Sequence, residues 1–313
     1  MNKKYDISPD FEEVIRLARD TEEETLELFQ QINMLGNSLL KKNETDNKVK
    51  ITKEKIKSFD GEEIEIQVFE PHNIEDNAPC LVYYHGGGFI LRVFEYQISF
   101  IREYSLKVGC KVIFVDYRLA MDYPFPTAVE DCYTALKWIY ENANNLGIDT
   151  NKIAVGGDSA GGALAAAVTQ MVRDRKGPTI CFQMLCYPVT DSRQITESAK
   201  MFDDTPVWDS NLNALMWEFY LKNGDKGIRE YASPMEAKSF KDLPPAYVEV
   251  AEFDPLRDEG IAYANALSEN DVEVKLVQTK RTVHAYDMIA ESNITKESIA
   301  RRISVLKEAF KNK

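Results

Sequence analysis

Three observations predict an α/β chain built on a mostly parallel, doubly wound sheet. Apolar strand-like runs alternate with helical stretches over most of the sequence, Gly157-Asp158-Ser159-Ala160-Gly161 joins a strand pattern to a helix pattern, and three consecutive glycines follow another strand directly. Taken in order, residues 10–33 come first, with Phe11, Val14, Ile15, Leu17, Ala18, Leu26, Phe29 and Ile32 spaced among Glu and Arg. That spacing suits one or two amphipathic helices, whose apolar stripe must cover something. Val49–Ile56 and Ile64–Phe69 read as two strands around Asp60-Gly61, a hairpin signal.

Six buried-type strands follow, at Leu81–Tyr84, Lys111–Val115, Ile153–Gly156, Ile180–Tyr187, Ala246–Val250 and Val272–Val277. Helical stretches lie between them near 97–108, 126–145, 160–174 and 257–269. The rhythm breaks between about 190 and 245, a polar interval with one helical pattern at Asn211–Leu221 that closes on Pro244-Pro245. An insertion there sits above the carboxyl ends of the strands, where open α/β sheets bind ligands. The expected organisation is an N-terminal helical segment at 1–48, a core at 49–190 and 246–313, and an inserted segment at 191–245.

The 38 basic and 51 acidic residues give a net charge of −13, which repels phosphate backbones and anionic membrane surfaces, so neither nucleic acid nor membrane is an expected partner. The opening Met1-Asn2-Lys3-Lys4-Tyr5-Asp6 carries no apolar stretch like that of a signal peptide, and no segment approaches the length of a membrane span. A cytoplasmic location is expected. Cys80, Cys110, Cys132, Cys181 and Cys186 sit within or beside apolar patterns without metal-ligand spacing, so they read as buried free thiols, and no metal or cofactor is expected.

The chemistry concentrates at three places. In Gly157-Asp158-Ser159-Ala160-Gly161 a serine stands at a strand-to-helix turn, where flanking glycines remove the Cβ clashes that would forbid so sharp a bend; it reads as a nucleophile elbow. Asp158 reads as an anchor for neighbouring loops. His85-Gly86-Gly87-Gly88-Phe89 follows the strand at Leu81–Tyr84, and its glycines let backbone N–H groups turn outward, as an oxyanion hole requires. A serine hydroxyl needs a base, and the chain holds three histidines. His72 lies before the core sheet and His85 in the glycine turn, which leaves His284, beyond the last predicted strand. The orienting acid falls in Glu252-Phe253-Asp254-Pro255-Leu256-Arg257-Asp258-Glu259, with Asp254 favoured and Asp258 and Glu252 as alternatives. The order Ser, Asp, His suits an α/β-hydrolase fold.

These residues, with Val115-Asp116-Tyr117-Arg118-Leu119-Ala120, Tyr123-Pro124-Phe125-Pro126 and Asp254-Pro255-Leu256-Arg257-Asp258-Glu259-Gly260, resemble the hormone-sensitive-lipase-like branch of the α/β-hydrolases from about Val49 onward. The resemblance implies a central eight-stranded sheet flanked by helices, with the N-terminal segment and the insertion forming a helical cap. It implies Ser159 as nucleophile, His284 as base, Asp254 as orienting acid and the N–H groups of Gly87, Gly88 and Ala160 as oxyanion hole. The implied activity is carboxylesterase action on short- to medium-chain acyl or aryl esters. Phe89, Leu91, Arg92, Trp208 and Tyr286 are expected to contact the substrate.

Three departures stand out. Leu91-Arg92-Val93 replaces a stretch where the family usually has a glycine, Ala120-Met121-Asp122-Tyr123 stands for the usual Ala-Pro-Glu-His, and His284-Ala285-Tyr286 for the usual His-Gly-Phe. The first places a bulky charged side chain near the expected pocket mouth. An amidase or deacylase on N-acyl substrates would use the same triad, and a non-catalytic binding module, as in the plant gibberellin receptors, would lack the base that His284 supplies. A strand at Val272–Val277 on the sheet edge leaves room for a homodimer.

Overall fold

A computed structural model describes residues 4–12 and 25–311. Its centre is one eight-stranded sheet: β1 (Val49–Lys57), β2 (Glu63–Pro71), β3 (Ala78–Tyr84), β4 (Lys111–Asp116), β5 (Ile148–Asp158), β6 (Phe182–Cys186), β7 (Ala246–Phe253) and β8 (Val274–Val283). The spatial order is β1-β2-β4-β3-β5-β6-β7-β8. β2 runs antiparallel to both β1 and β4, and every other neighbouring pair is parallel. Two segments beside the sheet flank the cavity described below, α1 (Thr25–Lys42) and a run carrying α6 (Glu197–Met201), α7 (Ser210–Tyr220) and α8 (Arg229–Ala232).

Helices cover both faces, which is why the central strands are apolar throughout rather than alternating. α3 (Thr127–Glu141), α5 (Ala160–Arg175) and α9 (Arg257–Ser268) pack on one face, while α2 (Glu95–Tyr104) and α10 (Asn293–Lys311) pack on the other. α4 (Ala143–Leu146) is a single turn between α3 and β5. α5 is a run of small residues, Ala160–Ala167, all buried, so it lies close against the sheet.

The structure departs from the sequence expectation at several ends. The helix expected near 97–108 stops at Tyr104 and continues as a wider turn, Ser105–Gly109, closed by the Cys110 N–H donating to the Ser105 carbonyl at 3.3 Å. The last strand runs to Val283 instead of Val277, because Thr279 and Thr282 turn inward and Thr279 Oγ1 donates to the Val250 carbonyl at 3.2 Å. Much of β8 is exposed at the sheet edge, so it is not the buried strand expected at Val272–Val277, and no apolar run marks its continuation to Val283. α1 continues to Lys42, with Lys41 and Lys42 in its last turn where cations suit the helix dipole. Val14, Ile15, Leu17 and Ala18 lie outside the described residues. All five cysteines are buried and none forms a disulfide.

The C-terminal helix is fastened by a buried charge cluster. Arg302, on α10, donates to Glu249 of β7 and, at 2.7 Å, to Asp287, and all three side chains are removed from water. Burial pushes the Glu249 carboxyl up, but the Arg302 charge and hydrogen bonds from Tyr247, Arg302 and Tyr286 outweigh it and hold the group below its ordinary value. Removing Arg302 strands two buried carboxylates. Arg302→Met is expected to cost about 3–5 kcal/mol at pH 7 in urea unfolding. The difference from wild type should narrow as pH falls, because without the Arg302 charge burial raises the Glu249 carboxyl, which then protonates in the variant at a pH where the wild-type group stays ionised; a cost below about 1 kcal/mol would remove the cluster as the fastening of α10.

Candidate active site

Ser159 stands between the end of β5 and the start of α5, with φ 54° and ψ −119°, a backbone conformation that L residues rarely adopt. Its N–H donates to the Cys186 carbonyl at 2.8 Å, which ties the turn to β6. The glycines around it are required by contact with the chain at the end of β3. A Cβ on Gly161 would lie 1.9 Å from the Tyr84 carbonyl oxygen, and one on Gly157 would lie 2.3 Å from the same atom.

His284 follows β8 directly, and Asp254 follows β7. His284 Nδ1 and Asp254 Oδ2 are 2.8 Å apart, and His284 Nε2 and Ser159 Oγ are 2.9 Å apart. A carboxylate only accepts, so Nδ1 carries the proton and Nε2 is left to accept from the serine hydroxyl. Asp254 is fully buried, and its other oxygen accepts the Leu256 N–H at 2.9 Å, which fixes the carboxylate plane. The two alternative acids point elsewhere. Glu252 accepts the Arg281 N–H at 2.7 Å, and Asp258 accepts the Ser198 N–H at 2.8 Å and pairs with Arg257. The arrangement can transfer a proton from Ser159 to His284 while Asp254 holds the ring and offsets the charge that forms.

Beside Ser159 the chain at 87–91 makes a tight turn. Gly87 has φ +115°, Gly88 φ +59° and Phe89 φ +60°, and the Gly87 carbonyl accepts N–H bonds from both Ile90 and Leu91. Among the described residues, the N–H groups of Gly87, Gly88 and Ala160 donate to no intrachain acceptor. Asp158 braces this turn from below. Its Oδ1 accepts the Tyr83 hydroxyl at 2.6 Å and the Gly86 N–H at 3.1 Å, and its Oδ2 accepts Gln97 Nε2 at 2.7 Å. Burial pushes its carboxyl upward, against the opposing hydrogen bonds.

Ser159 and His284 open into a cavity of about 440 Å3 with predominantly apolar walls. Leu28, Phe29 and Ile32 of α1 form one side, and Val207, Trp208 and Leu212 another, with Leu91, Phe94, Tyr96 and Met288 between. Trp208 stands beside the histidine, its ring centre 6.0 Å from that of His284. Of the five side chains expected at the substrate, Leu91 and Trp208 line this cavity. The other three do not. Phe89 is buried and stacks on Tyr220 at 3.8 Å, because its positive φ turns it under the loop. Arg92 turns back to pair with Asp116 at the end of β4. Tyr286 is fully buried, its hydroxyl donating to Glu249 at 2.9 Å and lying 2.6 Å from the Ser298 hydroxyl, because Ala285 at φ 51° reverses the chain after His284. The α1 wall, Phe94, Tyr96 and Met288 were not singled out from sequence; the amphipathic stripe of the N-terminal segment was the one signal pointing toward α1.

Residues 81–288 match the protein family described as having the alpha/beta hydrolase fold. The chain belongs to the α/β-hydrolase family. Within it, the chain falls in the hormone-sensitive-lipase-like branch. It is 36% identical over 262 residues to the carboxylesterase NlhH of Mycobacterium tuberculosis, covering 82% of each chain. It is 34% identical to an arylesterase of Saccharolobus solfataricus, covering 90% of this chain and 92% of the relative. The solved structure of a bacterial heroin esterase superposes with a TM-score of 0.86 at 32% identity, covering 97% of this chain and 98% of that one. Among the described residues no helix is long and apolar enough to cross a membrane, and no three His, Cys, Asp or Glu side chains group as a metal site.

The short contact between His284 Nε2 and Ser159 predicts a reactive hydroxyl. A fluorophosphonate probe is expected to attach to Ser159, seen as a mass shift on its tryptic peptide, and His284→Ala should slow labelling by about 10² or more. Labelling elsewhere, or at an unchanged rate in the variant, would count against the pairing.

Proposed function

We propose that this protein is a serine carboxylesterase acting on short- to medium-chain acyl or aryl esters. The observation that carries the reading is the continuous hydrogen-bonded line from Asp254 through His284 to Ser159, 2.8 and 2.9 Å per step, ending in an apolar cavity. Ser159 Oγ attacks the ester carbonyl as His284 Nε2 takes its proton. The tetrahedral oxyanion is held by the N–H groups of Gly87, Gly88 and Ala160, which have no competing acceptor among the described residues. Imidazolium then protonates the departing alcohol, leaving an acyl-enzyme at Ser159. Water, deprotonated by the same histidine, attacks the acyl carbonyl, and collapse of the second tetrahedral species returns Ser159 its proton and releases the acid.

A cavity of this size lies near the lower end of ordinary ligand sites, roughly 300–1,000 Å3, which supports short to medium chains. The reading assigns residues 1–48 and 191–245 to a cap over a core of 49–190 and 246–313. Leu91 and Trp208 are its substrate contacts among the side chains inferred from sequence. Five buried cysteines, none in a disulfide, suit a reducing compartment, which supports a cytoplasmic location. The edge strand β8 supports a homodimer, which light scattering at micromolar concentration would detect; a monomer there removes it.

Hydrolysis of p-nitrophenyl esters from acetate to palmitate is expected to peak at short or medium chains. Ser159→Ala should reduce it to the uncatalysed rate, and Asp254→Asn should lower kcat by about 10⁴, since the amide no longer holds the right imidazole tautomer. Residual turnover of the serine variant above a trace, or turnover confined to anilides, would overturn the ester reading.

A further inference from the structure

The turn at 87–91 carries two of the N–H groups that face the reacting carbonyl, yet it is a glycine-rich loop, and its shape depends on what grips it. Three grips are visible. Phe89 is stacked on Tyr220 of α7, and its carbonyl accepts the Ala120 N–H at 2.8 Å. The Arg92 side chain is paired with Asp116 of β4, in a position only about a fifth exposed. The third grip comes from α1. Asn33 Nδ2 donates to the Ile90 carbonyl at 3.0 Å, and Asn33 Oδ1 accepts the Arg92 N–H at 2.7 Å, so one amide spans both sides of Leu91.

The helix is seated tightly at this point. A Cβ on Gly36, one turn beyond Asn33, would lie 2.4 Å from Arg92 Cβ, so the backbone of α1 rests directly on the loop. Leu91, held between the two Asn33 bonds, closes the turn by donating its N–H to the Gly87 carbonyl at 2.7 Å. The path from α1 to the oxyanion donors is therefore two hydrogen bonds and one tight turn long.

Resting on the hydrolase reading above, we propose that Asn33 is a positioning residue for transition-state stabilisation: it fixes the Ile90–Arg92 backbone and thereby the aim of the Gly87 and Gly88 N–H groups. α1 then does more than wall the cavity with Leu28, Phe29 and Ile32. A wall residue acts on bound substrate and transition state alike, whereas a group that aims the oxyanion donors acts on the transition state alone. The two roles separate in kinetics.

The test uses the full chain with p-nitrophenyl butyrate as substrate and a trifluoromethyl ketone as inhibitor. Ser159 Oγ adds to the ketone carbonyl and gives a hemiketal whose oxyanion needs the same donors. Asn33→Ala is expected to lower kcat about tenfold or more and to weaken the ketone by the same factor, with KM within about twofold of wild type. Asn33→Asp keeps the acceptor for the Arg92 N–H but sets a carboxylate oxygen against the Ile90 carbonyl, and should lose kcat and ketone affinity at least as far as Asn33→Ala; it also serves as the readable variant if Asn33→Ala does not fold. Unchanged kcat and ketone affinity, or a raised KM at unchanged kcat, would overturn the positioning role while leaving the esterase reading standing. An inactive wild type, or an active Ser159→Ala, would overturn the esterase reading and this inference with it.

Discussion

The approach of the elbow to the end of β3 is the contact on which the rest of the site depends. The Tyr84 carbonyl occupies the space that a Cβ at Gly157 or Gly161 would need, so β5, the first turn of α5 and the exit of β3 are pressed together with no side chain between them. Two consequences follow. Ser159 is forced to a positive φ that lifts it out of the sheet, and the chain leaving β3 must begin its glycine turn immediately beside that serine. Nucleophile and oxyanion loop are thus neighbours because two backbones touch, and a larger residue at either glycine would separate them before it altered any chemistry.

Asp158 makes the same junction rigid from beneath. Its carboxylate collects a hydroxyl from β3, an N–H from the glycine turn and an amide from α2, and so ties three elements together beneath Ser159. Three donors on two oxygens match the ionised form, which only accepts. Burial opposes that charge and raises its pKa, so the hydrogen bonds are what make a buried carboxylate tolerable there. On the reading proposed above, Asp158 then serves the loop and not the proton transfer, since both of its oxygens hold that loop and its neighbours.

The sheet and the His-Gly-Gly-Gly, Gly-Asp-Ser-Ala-Gly and Asp-Pro segments were legible because each is a local rule. Buried strands need apolar runs, and a forbidden turn needs glycine. Asp254 was already favoured over Asp258 and Glu252 in the sequence, and the fold separates the three: Glu252 lies within β7, Asp258 lies on α9, and only Asp254 reaches His284. Arg92 is drawn away by Asp116, and the other two misplaced contacts share one cause. Phe89 and Tyr286 sit beside motif residues in sequence, but positive φ values at Gly87, Gly88, Phe89 and Ala285 redirect the chain, so adjacency along it does not become adjacency in the cavity. Asn33 was invisible for a different reason. Its partners lie 57 and 59 residues away, and the amphipathic stripe that marked Phe29 and Ile32 says nothing of a polar neighbour.

Reactive groups and cavity walls come from different parts of the architecture. Ser159, Asp254 and His284 leave the carboxyl ends of β5, β7 and β8, strands held side by side with β6 by main-chain hydrogen bonds at about 4.8 Å per step, so their separation is set by backbone geometry. Much of the wall comes from α1 and from residues 205–212, which lie outside the sheet and touch the reacting groups through side chains such as Trp208. Substitutions in those two segments can reshape the cavity without moving the triad, provided the grip of α1 on the 90–92 backbone survives. Substrate range is accordingly free to vary along Leu28, Phe29, Ile32 and Leu212, whereas Asn33, on the same helix as the first three, is bound to the loop and is not free in the same way.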